Sequence, residues 1–318
     1  MKTLIIGGGG MIGQKLARKL ADARDDVILY DVAYPPDGAP AGTRLTGNLA
    51  DDGQAKRLAE LRPDVIYHLA AVVSGEAEEN FDLGWQVNMM GTWALLEALR
   101  AEHIDSAGAY RPRLVFTSSI AVFGAPFPDH IDDTFLSAPQ TSYGAQKACC
   151  ELMVTDFSRK GFIDGLSLRL PTICVRPGKP NKAASGFFSG IIREPLNGVE
   201  AILPVPDTVR HWHASPRAAI GFLTHAAALD TDRLEGRRAL SLPGVSCTIA
   251  EQIEALKAVA GNDIAKLIRR EPDPAIEAIV KAWPRNFAPE RAISLGFRAE
   301  PSFRRIIQVY MDDDLATA

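Results

Sequence analysis

Along the first half of the chain, short apolar runs alternate with stretches whose apolar positions recur every three or four residues. "TLIIG", "DDVILYD", "DVIYHLAA" and "RLVFTSS" are apolar without strict alternation, the pattern of strands buried on both faces. Between them, "GGMIGQKLARKLADAR", "DDGQAKRLAELR" and "GWQVNMMGTWALLEALRA" carry helical periodicity. Strand and helix in turn predict βαβ units, and hence a Rossmann-type doubly wound parallel sheet with helices on both faces. Past about residue 171 the pattern loosens. "PTICVRPGKPNKAASGFFSG" is rich in Pro, Gly and basic residues, and the later helices are separated by irregular segments. The expected organisation is α/β, with a Rossmann domain over 1–170. A smaller substrate lobe follows over 171–318, with some chain crossing back.

The composition narrows the class. The chain has 318 residues, 47% of them apolar and 23% charged, with a net charge of −4. That is ordinary for a globular protein with a real core. No basic block offers an electrostatic footprint for nucleic acid. No run approaches the roughly 18 apolar residues of a membrane helix, and "MKTLIIGGGG" does not read as a signal peptide. Cys149, Cys150, Cys174 and Cys247 follow no metal-ligand spacing. They read as reduced packing thiols of a cytoplasmic protein.

The first candidate chemistry lies in "IIGGGGMIG". Gly7, Gly10 and Gly13 follow the first strand and open the first helix. A glycine turn there lets the backbone approach a pyrophosphate, which then sits at the positive end of the helix. Asp31 closes the second strand, where a carboxylate accepts hydrogen bonds from adenosine ribose hydroxyls and repels a 2′-phosphate. No arginine follows it directly. The pattern favours NAD over NADP.

In "SYGAQKACCEL", Tyr143 and Lys147 stand four residues apart, a spacing that also arises by chance. The order of motifs around them resembles the extended short-chain dehydrogenase/reductase family, which includes nucleotide-sugar epimerases and dehydratases. The matching stretches are the Gly7-x-x-Gly10-x-x-Gly13 turn, "HLAA" at 68–71, "NMMGT" from Asn88, "TSSIAVFG" at 117–124, Tyr143-x-x-x-Lys147 and "RLP" at 169–171. The resemblance implies a bound NAD touching Met11, Ile12, Asn48, Leu49, Leu69, Ala70, Ala71, Asn88, Pro171, Thr172 and Ile173, besides Tyr143 and Lys147. It also implies a homodimer built on two long helices. The segment "RLPTICVRPGKPNKAASGFFSGIIREPLNG" is similar to a branch that oxidises a four-carbon sugar acid, D-erythronate, at C2 to 2-oxo-tetronate. There are departures. Asn48 replaces the usual aspartate near the adenine, and Phe123 the usual tyrosine of the serine motif. Thr172 stands where epimerases carry Asn, and "HASPR" replaces a pair of aspartates. The last two point away from a nucleotide-sugar substrate.

Oxidising a secondary alcohol requires a base for the hydroxyl proton. Free tyrosine, with a pKa of about 10, is a poor one at neutral pH. An ammonium one turn away on the same helical face is expected to lower that pKa. Tyr143 is therefore the candidate acid/base and Lys147 its electrostatic partner. Ser119, at the carboxyl end of a strand, is the candidate orienter of the reacting oxygen.

In the second half, Arg176, Lys179, Lys182 and Arg193 face a single nearby acid, Glu194. They form either a solvated face or, with Asn181, Ser185 and Gly186, a hold on a carboxylate. Arg210 is the favoured single anchor, because a guanidinium grips a carboxylate in a fork. Ser74 is placed to line the same pocket. His211 and His213 flank Trp212 and read as packing residues, with no metal site. The expected function is NAD-dependent oxidation of a small hydroxy acid. The alternative is a nucleotide-sugar epimerase or dehydratase that recycles a tightly held NAD. A cofactor sensor without catalysis would be expected to lose Tyr143 or Lys147, and both are present.

Overall fold

A computed structural model of the chain describes residues 1–23, 25–35, 42–178 and 185–315. The chain divides into two compact units. The first comprises 1–122, 141–169 and 222–240; the second comprises 123–140, 170–221 and 241–318.

The first unit is built on a seven-stranded sheet. Its strands include β1 (Lys2–Ile6), β2 (Asp26–Asp31), β3 (Thr43–Thr46), β4 (Val65–His68) and β5 (Arg113–Ser119). Strands Asp164–Leu170 and Ala239–Ser241 extend the sheet beyond β5. The order from that edge is Ala239–Ser241, Asp164–Leu170, β5, β4, β1, β2, β3, and the pairings from β3 through β5 are all parallel. This is the doubly wound arrangement expected from the alternation of apolar runs. The chain winds outward from β1 through β2 to β3, then returns to β1's other side as β4. That reversal opens a crevice at the carboxyl ends of β1 and β4, where such sheets take ligands.

Helices α1 (Met11–Asp22), α2 (Gln54–Ala59), α3 (Ser74–Glu79), α4 (Phe81–Gly84), α5 (Gly91–Asp105) and α6 (Ser142–Arg159) belong to this unit. Leu4, Ile6, Ile66, Leu114 and Phe116 from the strands pack with Leu95, Leu96, Leu99, Cys150 and Val154 from α5 and α6 in one apolar core. The late strand Ala239–Ser241 follows a segment tied back by charge. Asp164 accepts from Arg113 at 2.8 Å and from Arg238 at 2.9 Å, and it also receives the Thr231 hydroxyl. The expected helix "GWQVNMMGTWALLEALRA" is interrupted: Trp85–Met90 forms a π turn before α5 begins.

The second unit holds a three-stranded sheet in which Arg210–Ala214 lies between Thr172–Ile173 and Val245–Thr248. Its core gathers Phe188, Ile191 and Ile192 from helix Gly186–Leu196, with Ile253 and Leu256 from helix Ile249–Ala260 and Ile306 and Ile307 from helix Phe303–Tyr310. Among the described residues, no helix is long and apolar enough to cross a membrane.

Candidate active site

The glycine turn sits where β1 ends beside β4. Gly7 takes a φ of +91°, and a Cβ there would lie 2.6 Å from the Ala70 backbone nitrogen. A Cβ at Gly13 would lie 2.3 Å from the Gly7 carbonyl oxygen. Both glycines are thus demanded by the protein's own packing. Gly10 is different. The nearest atom to a Cβ there is the Gly7 oxygen, at an ordinary 3.5 Å, and its φ is −73°. Gly10 is the N-cap of α1, no side chain caps that end, and the residue is exposed. An open backbone face at an uncapped helix start fits a pyrophosphate approaching closely. Met11 and Ile12 form the first turn behind it.

Asp31 ends β2 beside this turn. One carboxylate oxygen accepts the Gly9 N–H at 2.8 Å, and the other accepts the Val32 N–H at 2.7 Å. An ionised carboxylate has about four lone-pair sites, so capacity remains for ribose hydroxyls. Asn48 accepts the Ala50 N–H at 3.1 Å, while Leu49 is buried in the core. Leu69 and Ala70 both donate their N–H to the Ile6 carbonyl, bringing the end of β4 against the end of β1. Ala71 continues the same loop, and Ser74 opens α3.

Asn88 lies in the π turn, 2% exposed. Its amide exchanges two hydrogen bonds with the Val72 backbone and donates to Gln146 Oε1 at 2.7 Å. It thereby ties the loop after β4 to α6, the helix that carries the candidate pair. A π turn at such a point often accompanies function. Gln146 was not among the expected site residues, because an amide within a helix has no recognisable spacing.

On α6, Lys147 is only 2% exposed. Its ammonium donates to the Thr117 carbonyl at 2.8 Å and lies 4.6 Å from the Phe116 ring centroid and 5.6 Å from that of Tyr143. Burial pulls its pKa down to about 8. The expected lowering of Tyr143 is not found. Burial pushes the phenol up to about 12, with the neighbouring Cys150 thiol adding to the rise. The physical reason is desolvation: burial disfavours the charged phenolate, and that outweighs the ammonium's place on the same helical face. Ser119 stands at the end of β5, its Oγ accepting the Ala121 N–H at 3.1 Å. All three candidate catalytic residues therefore belong to the first unit.

Two further networks went unread. Glu151, one turn beyond Lys147, accepts the Ser118 hydroxyl at 2.6 Å and a two-point grip from Arg169, the shorter contact being 2.7 Å. A glutamate inside an apolar helical stretch was the available signal. His68 at the end of β4 meets the Thr92 hydroxyl at 2.9 Å, and burial lowers its pKa to about 3. Because Thr92 donates its own hydrogen to the Asn88 carbonyl, His68 Nε2 is the donor in that pair.

In the second unit, Pro171 is buried, and Thr172 and Ile173 form the short strand beside Arg210–Ala214. Thr172 Oγ1 lies 2.6 Å from His211 Nε2. His211 stacks on Phe188 with centroids 5.0 Å apart, and burial lowers its pKa to about 3. His213 is fully buried beside Gln252. Arg210 donates to the Ser246 carbonyl at 3.2 Å and pairs with Glu251 at 3.1 Å. Ser185 is the N-cap of helix Gly186–Leu196. Asn181, Lys179 and Lys182 lie outside the described residues. All four cysteines are free, and three are buried.

A Rossmann sheet with a glycine turn, an acidic β2 end and a Tyr–Lys helix defines a class, and a family comparison names it. Residues 3–213 match the NAD dependent epimerase/dehydratase family, and the chain belongs to that family. D-erythronate dehydrogenase of Cupriavidus necator is 45% identical over 98% of each chain. The enzyme of the same name from Haemophilus influenzae is 40% identical over 99% of this chain and 100% of its own. Among solved structures, one described as a nucleoside-diphosphate-sugar epimerase from Agrobacterium tumefaciens is 52% identical, with a TM-score of 0.95 over 100% of this chain and 95% of its own. An L-threonine dehydrogenase from Clostridium difficile, at 22% identity and a TM-score of 0.86, shares the fold.

Proposed function

We propose that this chain is an NAD-dependent dehydrogenase that oxidises a small sugar acid at its C2 hydroxyl, D-erythronate to 2-oxo-tetronate. The observation that carries the chemistry is the buried Lys147 ammonium beside the Tyr143 ring on one face of α6. A lysine this deep, answered by one carbonyl and two ring faces, is costly to keep and marks a working group rather than a structural one. The choice of acid draws support from the full-length similarity to two enzymes named for that substrate.

Gly7, Gly10, Gly13 and the first turn of α1 would hold the pyrophosphate, and Asp31 the adenosine ribose, which favours NAD over NADP. Bound NAD supplies the acceptor for the hydride leaving C2. Tyr143 takes the C2 hydroxyl proton as that bond breaks. Its phenol sits near 12 in the protein alone, so the base forms only when further positive charge arrives beside it. Lys147 already stands beside the ring on the same face of α6, and Ser119 orients the hydroxyl. We place the protein in the cytoplasm as a homodimer joined through α5 and α6, whose outward Trp93 and Leu152 are 43% and 72% exposed.

A second reading is favoured by one observation, the epimerase description of the 52% identical structure. An epimerase returns its hydride and leaves NAD unchanged. Absorbance of NADH with purified protein, NAD and D-erythronate, beside its stereoisomers and a panel of UDP-sugars, separates the two. A rise in proportion to erythronate consumed supports the dehydrogenase. No rise with any acid, while a UDP-sugar is epimerised, replaces it with the second reading.

A further inference from the structure

The first three N–H groups of the glycine turn all reach the end of β2, but not the same acceptor. Gly7 and Gly8 both donate to the Tyr30 carbonyl, at 2.8 and 3.1 Å. Gly9 donates instead to a side chain, the Asp31 carboxylate, at 2.8 Å. The other oxygen of that carboxylate takes the Val32 N–H at 2.7 Å. Each oxygen thus has one lone pair fixed by the backbone, and the direction of what remains is set.

Gly9 contributes more than that hydrogen bond. Its φ lies outside the left-handed region that Gly7 occupies, so backbone strain does not explain the glycine. Space does. A Cβ there would lie 2.1 Å from the Ala33 carbonyl oxygen and 3.1 Å from the carboxyl carbon of Asp31. The bend at Val32 and Ala33 therefore lies directly on Gly9. That bend is anchored from its far side as well. The Tyr34 hydroxyl donates to the Leu45 carbonyl on β3 at 2.9 Å, and the Arg44 guanidinium lies 5.3 Å from the Tyr34 ring centroid. A methyl group at residue 9 would displace the bend and, with it, the Asp31 carboxylate.

We propose that Gly9 determines the choice of NAD over NADP, by letting the bend after β2 close on the glycine turn and hold the Asp31 carboxylate in one orientation. This rests on the NAD reading above and deepens it. In that reading the carboxylate accepts the adenosine ribose hydroxyls and repels a 2′-phosphate. A carboxylate released from the bend keeps its charge but no longer aims its remaining lone pairs at the ribose. Gly9 is thus a positioning residue acting through Asp31, and every residue concerned lies in the first unit.

The test is calorimetric titration of the full chain with NAD and with NADP, reading the ratio of the two Kd values. In Gly9→Ala the Kd for NAD should rise roughly 10- to 150-fold, the loss of a hydrogen bond to a charged group. The Kd for NADP should change less than about threefold, so the preference for NAD falls. In an Asp31→Asn background, Gly9→Ala should leave the preference where Asp31→Asn alone puts it, because both act on one group. Gly10→Ala is the contrast. It faces the pyrophosphate common to both cofactors and should keep the preference within about twofold of wild type. Melting temperatures establish that each variant is folded. Should Gly9→Ala not fold, Val32→Pro decides: it removes the other N–H of the clamp at an exposed position and should lower the preference in the same direction. A wild-type preference in the deciding variant overturns the inference and leaves the NAD reading standing. An equal fall in Gly10→Ala, or a further fall in the double variant, overturns it as well. If the wild-type protein binds NAD no tighter than NADP, the NAD reading fails and takes the inference with it.

Discussion

The two units put their polar residues to use in different ways. In the first, chemistry follows from local geometry: a glycine turn after β1, a carboxylate at the end of β2, and two residues one turn apart on α6. In the second, two of the candidate polar residues are held by partners far along the chain. Arg210 is answered by Glu251 and His211 by Thr172, 39 residues earlier. A spacing rule reads the first kind of site directly. The second kind becomes legible only when it is known which charges have already been answered, as Arg210's is by Glu251.

The comparison can be broken most forcefully at Tyr143. Tyr143→Phe removes the candidate base without removing the ring, and turnover should fall by about 10²- to 10⁴-fold with the cofactor's affinity kept. Wild-type turnover in that variant would strip the first unit of its catalytic role. Next in size is acid. His68, His211 and His213 all have folded-state pKa values below the usual 6.5 because they are buried. The unfolded chain therefore binds protons that the folded chain refuses. The stability concerned is present above pH 6.5 and is lost as pH falls from there toward 3. Each histidine's slope rises from about 0.7 kcal/mol per pH unit at pH 6.5 toward about 1.4 below it, so the three together approach about 4 kcal/mol per pH unit. Urea midpoints between pH 6.5 and 5 measure it. His68→Gln should remove a third of the slope, and the paired His211→Gln, His213→Gln variant the rest. An unchanged slope in both would mean that the histidines are not the groups responsible.

Third is Glu151→Gln, which removes the buried carboxylate that Arg169 grips and should destabilise by about 3 kcal/mol in denaturant unfolding. A loss below about 1 kcal/mol would show that water reaches the pair. The smallest effect is expected at the half-exposed pair of the second unit. Arg210→Met should cost less than about 1 kcal/mol, because such ion pairs contribute little. A loss several times larger would place Arg210 in the core of its unit's stability and narrow the difference between the two units.

Much of the first unit was legible because buried parallel strands must be apolar throughout. "RLVFTSS" matches Arg113–Ser119 end to end, and "SYGAQKACCELMVTDFSRK" runs one residue past α6, onto its C-cap Lys160. What was missed had weak local signals. "TRLT" forms the edge strand β3 although it is mostly exposed and polar, since pairing with β2 decides it. "DGLSLRL" joins the sheet despite its Gly and Ser, held beside the Arg113–Asp164 pair. The interruption at Trp85–Met90 looks helical in periodicity, because a single π turn shifts the phase without removing it. At the site, the residue types of the pair were readable and the direction of Tyr143's shift was not. That direction depends on how deeply the phenol is buried, which no spacing along α6 reveals.

The grip between Glu151 and Arg169 also bears on how this sequence can drift. With Glu151 5% exposed and Arg169 16% exposed, a change at 169 alone leaves the buried Glu151 carboxylate without its ionic partner. An apolar pair of similar volume would be tolerated, yet every single-step route to it passes through a destabilised intermediate. Lineages should therefore keep both residues or exchange both. Where Glu151 has become apolar, the residue at 169 is expected to have lost its charge as well, and Ser118, which also serves that carboxylate, should be released to vary with them.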